Sequence, residues 1–287
     1  TFDFAVEAQT AQAMHAGKQR LREISAERIQ AELGRFLCGP GVFSQLIAFA
    51  DVLCVPIPEI APMIGFEQRN PHHQYDVWTH TAASVQAIRP VPALRLAMLL
   101  HDIGKPSSFT LDKRGVGHFY GHPPRSAALA AQILRRLKFD NATAKTVETL
   151  VLHHDDVIEP NPRQVKRWLR RVGETVFRQM LEVRRADIAA QSGLRRAEKY
   201  RRIDQAESVL ESVLAEGQCF CLGDLAVDGR DLMAAGIPQG KRIGEALDWL
   251  LAQVVDEALP NERGALLQAA RGFAGGAAHT DGREAPQ

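Results

Sequence analysis

An apolar run that ends in an adjacent histidine and aspartate most restricts how this chain can fold. Residues 98–106 read MLLHDIGKP, so His101 and Asp102 directly follow side chains of the kind that proteins bury. A neutral imidazole and a carboxylate together suit a divalent metal of borderline softness. Gly104 is predicted to be the helix C-cap, and Pro106 is predicted to prevent the helix from continuing. The pair is therefore expected where a helix leaves the core.

Three further residues share one property, because each lies on or beside the apolar face of a predicted helix. His80 borders such a face three residues after Val77, and His154 follows apolar residues at the third, fourth and seventh positions before it. Asp187 returns to the apolar face seven residues after Met180. An ionised carboxylate there loses its hydration at considerable cost unless a cation or hydrogen bonds compensate. The three side chains are therefore expected to point inward.

Each of these residues also has a purely structural interpretation. A half-buried histidine is more often a hydrogen-bonded core residue than a metal ligand, and Asp187 can pair with Arg184 or Arg185 on its own helix. The combination is harder to explain in that way, because all of these side chains are expected to face one interior. A metal site requires that they also converge in space.

The composition favours an all-α protein. Ala, Leu, Arg, Glu and Gln dominate the 287 residues, 45% of the residues are hydrophobic, and strand-like alternation is scarce. No apolar run approaches the roughly 18 residues that span a bilayer, and no signal peptide is visible. A cytoplasmic protein without membrane contact is therefore expected. The four cysteines fit neither a disulfide framework nor a zinc ribbon and are predicted to be reduced thiols.

The order His80, His101–Asp102 and Asp187 in a helical chain resembles the HD superfamily of metal-dependent phosphohydrolases. Longer stretches are similar to the C-terminal half of bacterial tRNA nucleotidyltransferases, in the family of CCA-adding enzymes and poly(A) polymerases. This resemblance runs from about residue 2 to residue 270. The stretches that carry it read ISAERIQAEL (24–33), NPHHQYDVWTHT (70–81), LRLAMLLHDIGKP (94–106), GVGHFYGH (115–122), ILRRLKFDN (133–141), RRADIAAQS (184–192) and VDGRDLMAAGIPQGKRIGEAL (227–247).

The resemblance implies a multi-helix HD-domain fold with a helical neck and a helical tail. The neck-like segment would occupy residues 1–68, and the HD domain would occupy residues 69–195. The tail, which is expected to face RNA, would occupy residues 196–274. Residues 275–287 are polar and rich in glycine, so they are predicted to be disordered.

The resemblance also implies which residues carry the chemistry. The implied ligands of one divalent ion are His80, His101, Asp102 and Asp187. The identity of the ion stays open among Mg, Mn, Ni, Co, Fe and Zn, and a second ion stays an alternative.

The implied catalytic residues are Asp102, His122, His154 and Lys105. His122 follows a Gly-punctuated stretch that is predicted to form a short hairpin, and it begins a helix opened by two prolines. His122 and His154 would orient a phosphate, protonate the leaving group or bind a second ion. Lys105 would offset developing negative charge.

Nucleotide addition in this family needs a head domain whose motifs are missing from the sequence. There is no Gly-Ser turn to hold a triphosphate and no D-x-D pair of carboxylates to bind Mg²⁺, and the first residue is Thr1 rather than Met. We therefore expect a head-less remainder that does not add CCA by itself.

Charge is distributed unevenly along the chain despite a net charge of +1. Residues 163–202 carry thirteen Lys or Arg and four acidic residues, whereas residues 207–262 carry three basic and eleven acidic residues. The first segment is predicted to follow a phosphate backbone, and tRNA is the partner that the resemblance implies. The alternative is that the two segments attract each other within the molecule. The candidate RNA-binding residues are Lys166, Arg167, Arg170, Arg171, Arg195 and Arg196.

Three functions follow from these observations. The leading hypothesis is metal-dependent hydrolysis of phosphomonoesters or 2′,3′-cyclic phosphodiesters. The alternative is a non-catalytic tRNA-binding body of a CCA-adding enzyme. A third hypothesis, hydrolysis of cyclic nucleotides or guanosine tetraphosphate, is disfavoured by the stretches that resemble the neck and the tail.

Overall fold

The computed structural model describes residues 6–72 and 74–276, and it confirms the predicted all-α fold for them. Fourteen α-helices and three 3-10 turns make up the regular structure of these residues, together with a single antiparallel pair of short strands. The C-terminal segment predicted to be disordered lies outside the described residues, apart from two glycines that end the last helix. No helix of the described part is both long and apolar enough to cross a membrane.

The chain divides into two compact units, and the first comprises residues 1–157 and 178–203. It contains nine helices among its described residues, the strand pair, the C-terminal part of a tenth helix and the start of an eleventh, α11 (Arg196–Ala215). The other elements are α1 (Ala8–Gly17), α2 (Ala26–Leu37), α3 (Val42–Ala48), α4 (Ala50–Leu53), α5 (Val77–Ala87), α6 (Pro92–Leu100), α7 (Lys105–Ser108), β1 (Thr110–Leu111), β2 (Gly117–His118), α8 (His122–Arg136), α9 (Asn141–His153) and the end of α10 (Pro162–Ala190), with 3-10 turns at Lys18–Glu23 and Pro58–Met63.

Helix α6 lies at the centre of the first unit. Every residue from Leu94 to Leu100 is buried, and the helix packs against α5 and α9. A helix that is covered on all sides has no polar face, which explains the apolar run that precedes the histidine and aspartate. Since α6 is enclosed, His101 and Asp102 enter an interior rather than solvent, and both are buried.

The predicted role of Gly104 as a helix C-cap is wrong. Helix α6 ends with His101 as its C-cap, and Gly104 instead precedes α7, where Pro106 stands in the first turn. Proline is tolerated there because the first turn has no intrahelical acceptor for its missing N–H. Glycine is required for a tertiary reason, since a Cβ at this position would lie 2.8 Å from the backbone nitrogen of Ser126.

The second unit comprises residues 158–177 and 204–287. Its core is formed by apolar residues such as Leu232, Leu250 and Leu266, all fully buried. The elements are the start of α10, which is interrupted at Gly173 (φ 77°), the end of α11 (Arg196–Ala215), a 3-10 turn at Leu222–Asp224, α12 (Gly229–Ala234), α13 (Lys241–Val255) and α14 (Arg263–Gly276).

Candidate metal centre

Helix α5 carries His80 into the interior of the first unit. Its N-cap is Asp76, whose Oδ1 accepts the Thr79 N–H at 2.7 Å while Oδ2 accepts the Gly65 N–H at 2.7 Å. One carboxylate thus caps the helix and ties it to the preceding segment. His80 is completely buried, and its Nδ1 lies 3.4 Å from the Ala190 carbonyl oxygen.

The link between α6 and α7 places His101, Asp102 and Lys105 together. The His101 Nδ1–H donates to the Met98 carbonyl at 2.7 Å, which directs Nε2 toward the interior. Lys105 Nζ lies 2.7 Å from Asp102 Oδ2 and donates to Gln68 Oε1 at 2.9 Å. The lysine is buried, so its charge is matched by the carboxylate rather than by water.

His122 and His154 come from the start of α8 and the end of α9. The Nδ1–H of His122 donates to Phe119 O at 2.9 Å, and that of His154 donates to Val151 O at 2.7 Å. Their Nε2 atoms lie 3.1 Å apart. The predicted hairpin before His122 is confirmed, since Thr110 pairs with His118 and Leu111 pairs with Gly117.

Asp187 enters from the end of α10, and its two oxygens have different partners. Oδ1 lies 3.1 Å from His80 Nε2. Oδ2 accepts hydrogen bonds from Gln191 Nε2 at 2.9 Å and from Arg184 Nη1 at 3.3 Å. The pairing of Asp187 with Arg184 confirms one of the two structural alternatives drawn from the sequence, and it coexists with the histidine contact.

These residues converge on the carboxylate of Asp102, which belongs to two separate groups. His80, His101 and Asp102 form one group of possible metal ligands, and Asp102, His122 and His154 form the other. Oδ2 lies 3.2 Å from His101 Nε2 and 3.5 Å from His80 Nε2. Oδ1 lies 3.3 Å from His122 Nε2 and 3.6 Å from His154 Nε2. All five side chains are buried.

Both buried carboxylates remain ionised. Burial alone would raise the pKa of Asp102, but its interactions with His101 and Lys105 outweigh burial and hold that pKa well below the usual range. Burial opposes ionisation of Asp187 in the same way, and contact with His80 outweighs it, so the pKa of Asp187 is also well below the usual range. The site therefore concentrates negative charge in a dry interior.

The donor set fits a bound cation. Because a carbonyl oxygen can only accept, a neutral His101, His122 or His154 carries its proton on Nδ1 and presents an Nε2 lone pair to the interior. Neither oxygen of Asp102 has a hydrogen-bond donor in good geometry, although Lys105 Nζ is close to one of them. Converging lone pairs and an unsatisfied buried carboxylate are what a divalent ion compensates.

The ligand groups open into a cleft of about 340 Å³ in the first unit. Its volume falls within the roughly 300–1,000 Å³ of small-molecule sites. Its walls come from the link between α6 and α7, the end of the hairpin, the start of α8 and the end of α10. The lining residues that concern the chemistry are Asp102, Lys105, His118, Tyr120, His122, His154, Asp187 and Gln191.

Two supporting residues were not predicted from the sequence, namely Gln68 and Gln191. Gln191 Oε1 accepts a hydrogen bond from Lys199 Nζ at 2.5 Å, so its amide nitrogen must face Asp187. Gln191 follows Asp187 by four residues, and this spacing could have identified Gln191 as a partner of Asp187 from the sequence. Gln68 lies 37 residues before Lys105, and no local pattern connects the two.

The candidate RNA-binding residues Lys166 and Arg167 make ion pairs within the second unit. Lys166 Nζ lies 3.1 Å from Glu257 Oε1, and Arg167 Nε lies 2.6 Å from Asp256 Oδ1. Arg167 lowers the pKa of Asp256 through that contact. These contacts join the basic segment to the acidic one, as the alternative interpretation of the charge pattern expected.

Arg170 and Arg171 also have partners in the second unit. Arg170 Nη2 donates to the Asp248 carbonyl at 3.1 Å, and the Arg171 guanidinium lies 5.3 Å from the centre of the Trp168 ring. Neither of these two contacts pairs the guanidinium with a carboxylate.

Arg195 and Arg196 lie in the first unit. Arg195 pairs with Glu198 at 2.8 Å, and Arg196 donates to the Gln191 carbonyl at 2.5 Å. Arg196 therefore supports the segment that holds Asp187 in place.

Comparison with known proteins identifies a family for this chain. A family model described as "tRNA nucleotidyltransferase domain 2 putative" matches residues 125–270, half of the chain. The chain belongs to this tRNA nucleotidyltransferase family. A second model, described as "Probable RNA and SrmB- binding site of polymerase A", matches residues 3–46.

Two tRNA nucleotidyltransferases are among the relatives of this chain. The CC-adding tRNA nucleotidyltransferase of Thermus thermophilus is 30% identical over 236 residues, which cover 78% of this chain and 52% of that protein. The A-adding tRNA nucleotidyltransferase of Deinococcus radiodurans is 31% identical over 265 residues, which cover 86% of this chain and 59% of that protein. The chain thus spans somewhat more than half the length of these relatives.

A shorter similarity links the chain to the Multifunctional CCA protein of Azoarcus sp. The two are 33% identical over 147 residues, which cover 47% of this chain and 34% of that protein. Membership of the family therefore rests on the matched domain and on long alignments to enzymes that are named for their action on tRNA.

Proposed function

We propose that this chain binds tRNA within a tRNA nucleotidyltransferase-type protein and carries a metal-dependent phosphohydrolase centre in its first unit. The comparisons support the tRNA-binding part more directly than the hydrolase part, because the relatives are named for tRNA and one family model describes an RNA-binding site. The hydrolase part rests on one observation, the sharing of the Asp102 carboxylate between two buried groups of ligands.

His80, His101, Asp102 and Asp187 would hold a first divalent ion, and Asp102, His122 and His154 would hold a second. A divalent ion in such a site polarises a phosphoryl oxygen and lowers the pKa of a bound water. Mixed imidazole and carboxylate donors suit Mn, Fe, Co, Ni or Zn, with Mg less favoured by the histidines.

The protein's own groups have three tasks in this proposal. Lys105 places a buried positive charge beside Asp102, where it offsets negative charge that develops on a phosphate. If the second ion is not bound, neutral His122 and His154 would present Nε2 lone pairs to the cleft, and either could take a proton and return it to a leaving oxygen. The buried setting strengthens these electrostatic effects, because little water screens them.

The substrates that fit these groups are phosphomonoesters and 2′,3′-cyclic phosphodiesters. Hydrolysis of 2′,3′-cyclic AMP and bis-p-nitrophenyl phosphate would be followed with and without EDTA and after each metal is added back. We expect metal-dependent turnover that falls at least 100-fold in Asp102→Asn. Asp51→Asn is the matched control, because Asp51 pairs with Lys18 away from the cleft. Absence of turnover with every metal would refute the hydrolase part.

The non-catalytic alternative is tested by RNA binding. The contacts of Arg170 with the Asp248 carbonyl and of Arg171 with Trp168 involve no carboxylate, so replacing both arginines by alanine should weaken tRNA binding and reduce its salt dependence. Lys241→Ala with Arg271→Ala removes the same charge from exposed positions of the same unit. Equal losses in both double variants would mean that only net charge matters. Wild-type tRNA binding without any hydrolysis would favour the non-catalytic body.

A further inference from the structure

The end of the hairpin carries a stacked aromatic pair that the proposed chemistry does not use. Tyr120 is 76% exposed, the highest value for any large apolar side chain among the described residues. Its ring stacks on His118 with centroids 5.3 Å apart and planes only 7° apart. Both residues line the cleft that contains Asp102 and His122. A ring with so much exposed surface contributes little to the core, and its position in the cleft lining leaves it open to contact with a ligand.

Hydrogen bonds within the hairpin hold the turn before this pair in place. Asp112 Oδ1 accepts the Arg114 and Val116 N–H groups at 2.8 and 3.0 Å, which closes the turn. Asp112 Oδ2 lies 3.2 Å from His118 Nε2 and orients the imidazole. A short exposed hairpin would otherwise be mobile, so these contacts preorganise the aromatic pair.

A second set of contacts docks the hairpin onto the segment before α5. The Gly117 N–H donates to Arg69 O at 2.8 Å, and the Asn70 amide donates to Gly117 O at 3.1 Å. A Cβ on Gly117 would lie only 2.1 Å from the Gln68 carbonyl oxygen, so the close approach requires glycine. Gln68 Oε1 also accepts a hydrogen bond from Lys105, so the same residue contacts both the hairpin and the buried lysine.

The aromatic pair is adjacent to the metal-ligand groups along the chain. Tyr120 precedes His122 by two residues, and both the N–H and the Nδ1–H of His122 donate to the Phe119 carbonyl. A ligand whose phosphate contacts His122 would therefore meet the exposed Tyr120 ring on the wall of the same cleft. The cleft volume of about 340 Å³ also exceeds what a phosphate alone would fill.

We propose that His118 and Tyr120 form a stacking wall for a nucleobase, so that the cleft selects nucleoside phosphates over phosphates that lack a base. The exposed face of Tyr120 takes the base, and His118 supports the ring from behind. Both ring nitrogens of His118 are engaged, by Asp112 and by the Tyr120 hydroxyl, so the wall offers a ring face rather than contacts to a base edge, and all four bases should bind similarly. This inference rests on the proposed function for the position of the phosphate.

The test compares two ligands that differ only in the base, adenosine 5′-monophosphate and ribose 5-phosphate. Their dissociation constants would be measured by titration calorimetry with the purified protein. Since stacking of one base on an aromatic ring is worth roughly five- to 150-fold in affinity, we expect wild type to prefer the nucleotide at least fivefold. Tyr120→Ala should lose that preference, whereas Tyr120→Phe should keep it within twofold.

Leu111→Ala is the matched control, because Leu111 is an exposed residue of the same hairpin that does not line the cleft. It should bind both ligands as wild type does. The inference is overturned if wild type binds the two ligands equally or not at all, or if Tyr120→Ala weakens both to the same extent. A trinucleotide RNA with a 3′-phosphate tests whether the base belongs to an RNA end or to a free nucleotide. If this RNA binds more tightly than the nucleotide and the gain depends on Tyr120, the ligand is an RNA end.

These outcomes are separable from those of the proposed function. Base-dependent binding without any hydrolysis would refute the hydrolase and support the stacking wall. Hydrolysis with equal binding of both ligands would support the hydrolase and refute the wall.

Discussion

His122 Nε2 lies 3.1 Å from His154 Nε2 although the Nδ1 atom of each ring faces a carbonyl oxygen. Two neutral rings held in this way would point lone pairs at each other. The contact is favourable only if a proton or a cation lies between them, and Asp102 Oδ1 supplies the neighbouring negative charge.

The first prediction concerns the number of ions. Wild type should bind two equivalents of Mn²⁺, and the double variant His122→Ala with His154→Ala should bind one, because His80, His101 and Asp187 are untouched. Calorimetry with metal-free protein measures the stoichiometry. His15→Ala, at the surface beside Asp51, should leave it at two. Two equivalents in the double variant would exclude a second site at these histidines.

The second prediction concerns the support of Asp187. Gln191→Leu removes a hydrogen bond to Oδ2 and should weaken Mn²⁺ binding roughly 10- to 100-fold, as loss of outer-shell partners typically does. Gln132→Leu, at an exposed position of α8, is the control for the added apolar side chain. Equal affinities in the two variants would mean that Arg184 alone orients the carboxylate.

The third prediction concerns Gly104. Its alanine variant must displace the backbone nitrogen of Ser126, so we expect a loss of about 1–3 kcal/mol in the free energy of unfolding, measured by urea denaturation. Gly34→Ala is the matched control, because it lies inside α2 and a Cβ there meets nothing within 4 Å. That change should be neutral or stabilising. If the free energy of unfolding of Gly104→Ala is unchanged, α8 shifts to make room for the added Cβ at little energetic cost.

The local part of the site follows from the sequence. His101, His122 and His154 each donate Nδ1–H to the carbonyl three residues earlier, so the orientation of each ring is set by its own segment. Helical periodicity predicts that His80, His154 and Asp187 face inward, whereas His101 was placed by the apolar run before it and His122 by its position at the start of a helix.

The same sequence patterns could not predict the tertiary contacts. The position of Gly104 after an apolar run predicts a helix C-cap, but glycine is required there because Ser126 on another helix lies too close for a Cβ. Lys166 and Arg167 were interpreted from a basic segment, whereas their partners lie about ninety residues further along the chain. Lys166 is buried, whereas the Arg167–Asp256 pair is exposed and contributes only about 0–1 kcal/mol, so only Arg167 can readily exchange its partner for a phosphate; a role in RNA binding stays a prediction for both.

The fourth prediction concerns the pH dependence of a thiol in the second unit. Burial raises the pKa of Cys219 to about 11, so the thiol stays protonated and unreactive near neutral pH. Alkylation by iodoacetamide, followed by mass spectrometry of the Cys219 peptide, should accelerate nearly tenfold per pH unit from pH 8 to 10. The exposed Cys221 is an internal comparison and should react first at pH 8. Equal rates for the two thiols at that pH would contradict the account.

The central claim is that Asp102 joins two metal-ligand groups, and Mn²⁺ binding to wild type and Asp102→Asn tests it most directly. Since the carboxylate belongs to both groups, the account predicts that this single change weakens both binding events at least tenfold, while Asp51→Asn still binds two equivalents with wild-type affinity. Retention of both Mn²⁺ equivalents at wild-type affinity in Asp102→Asn would contradict it.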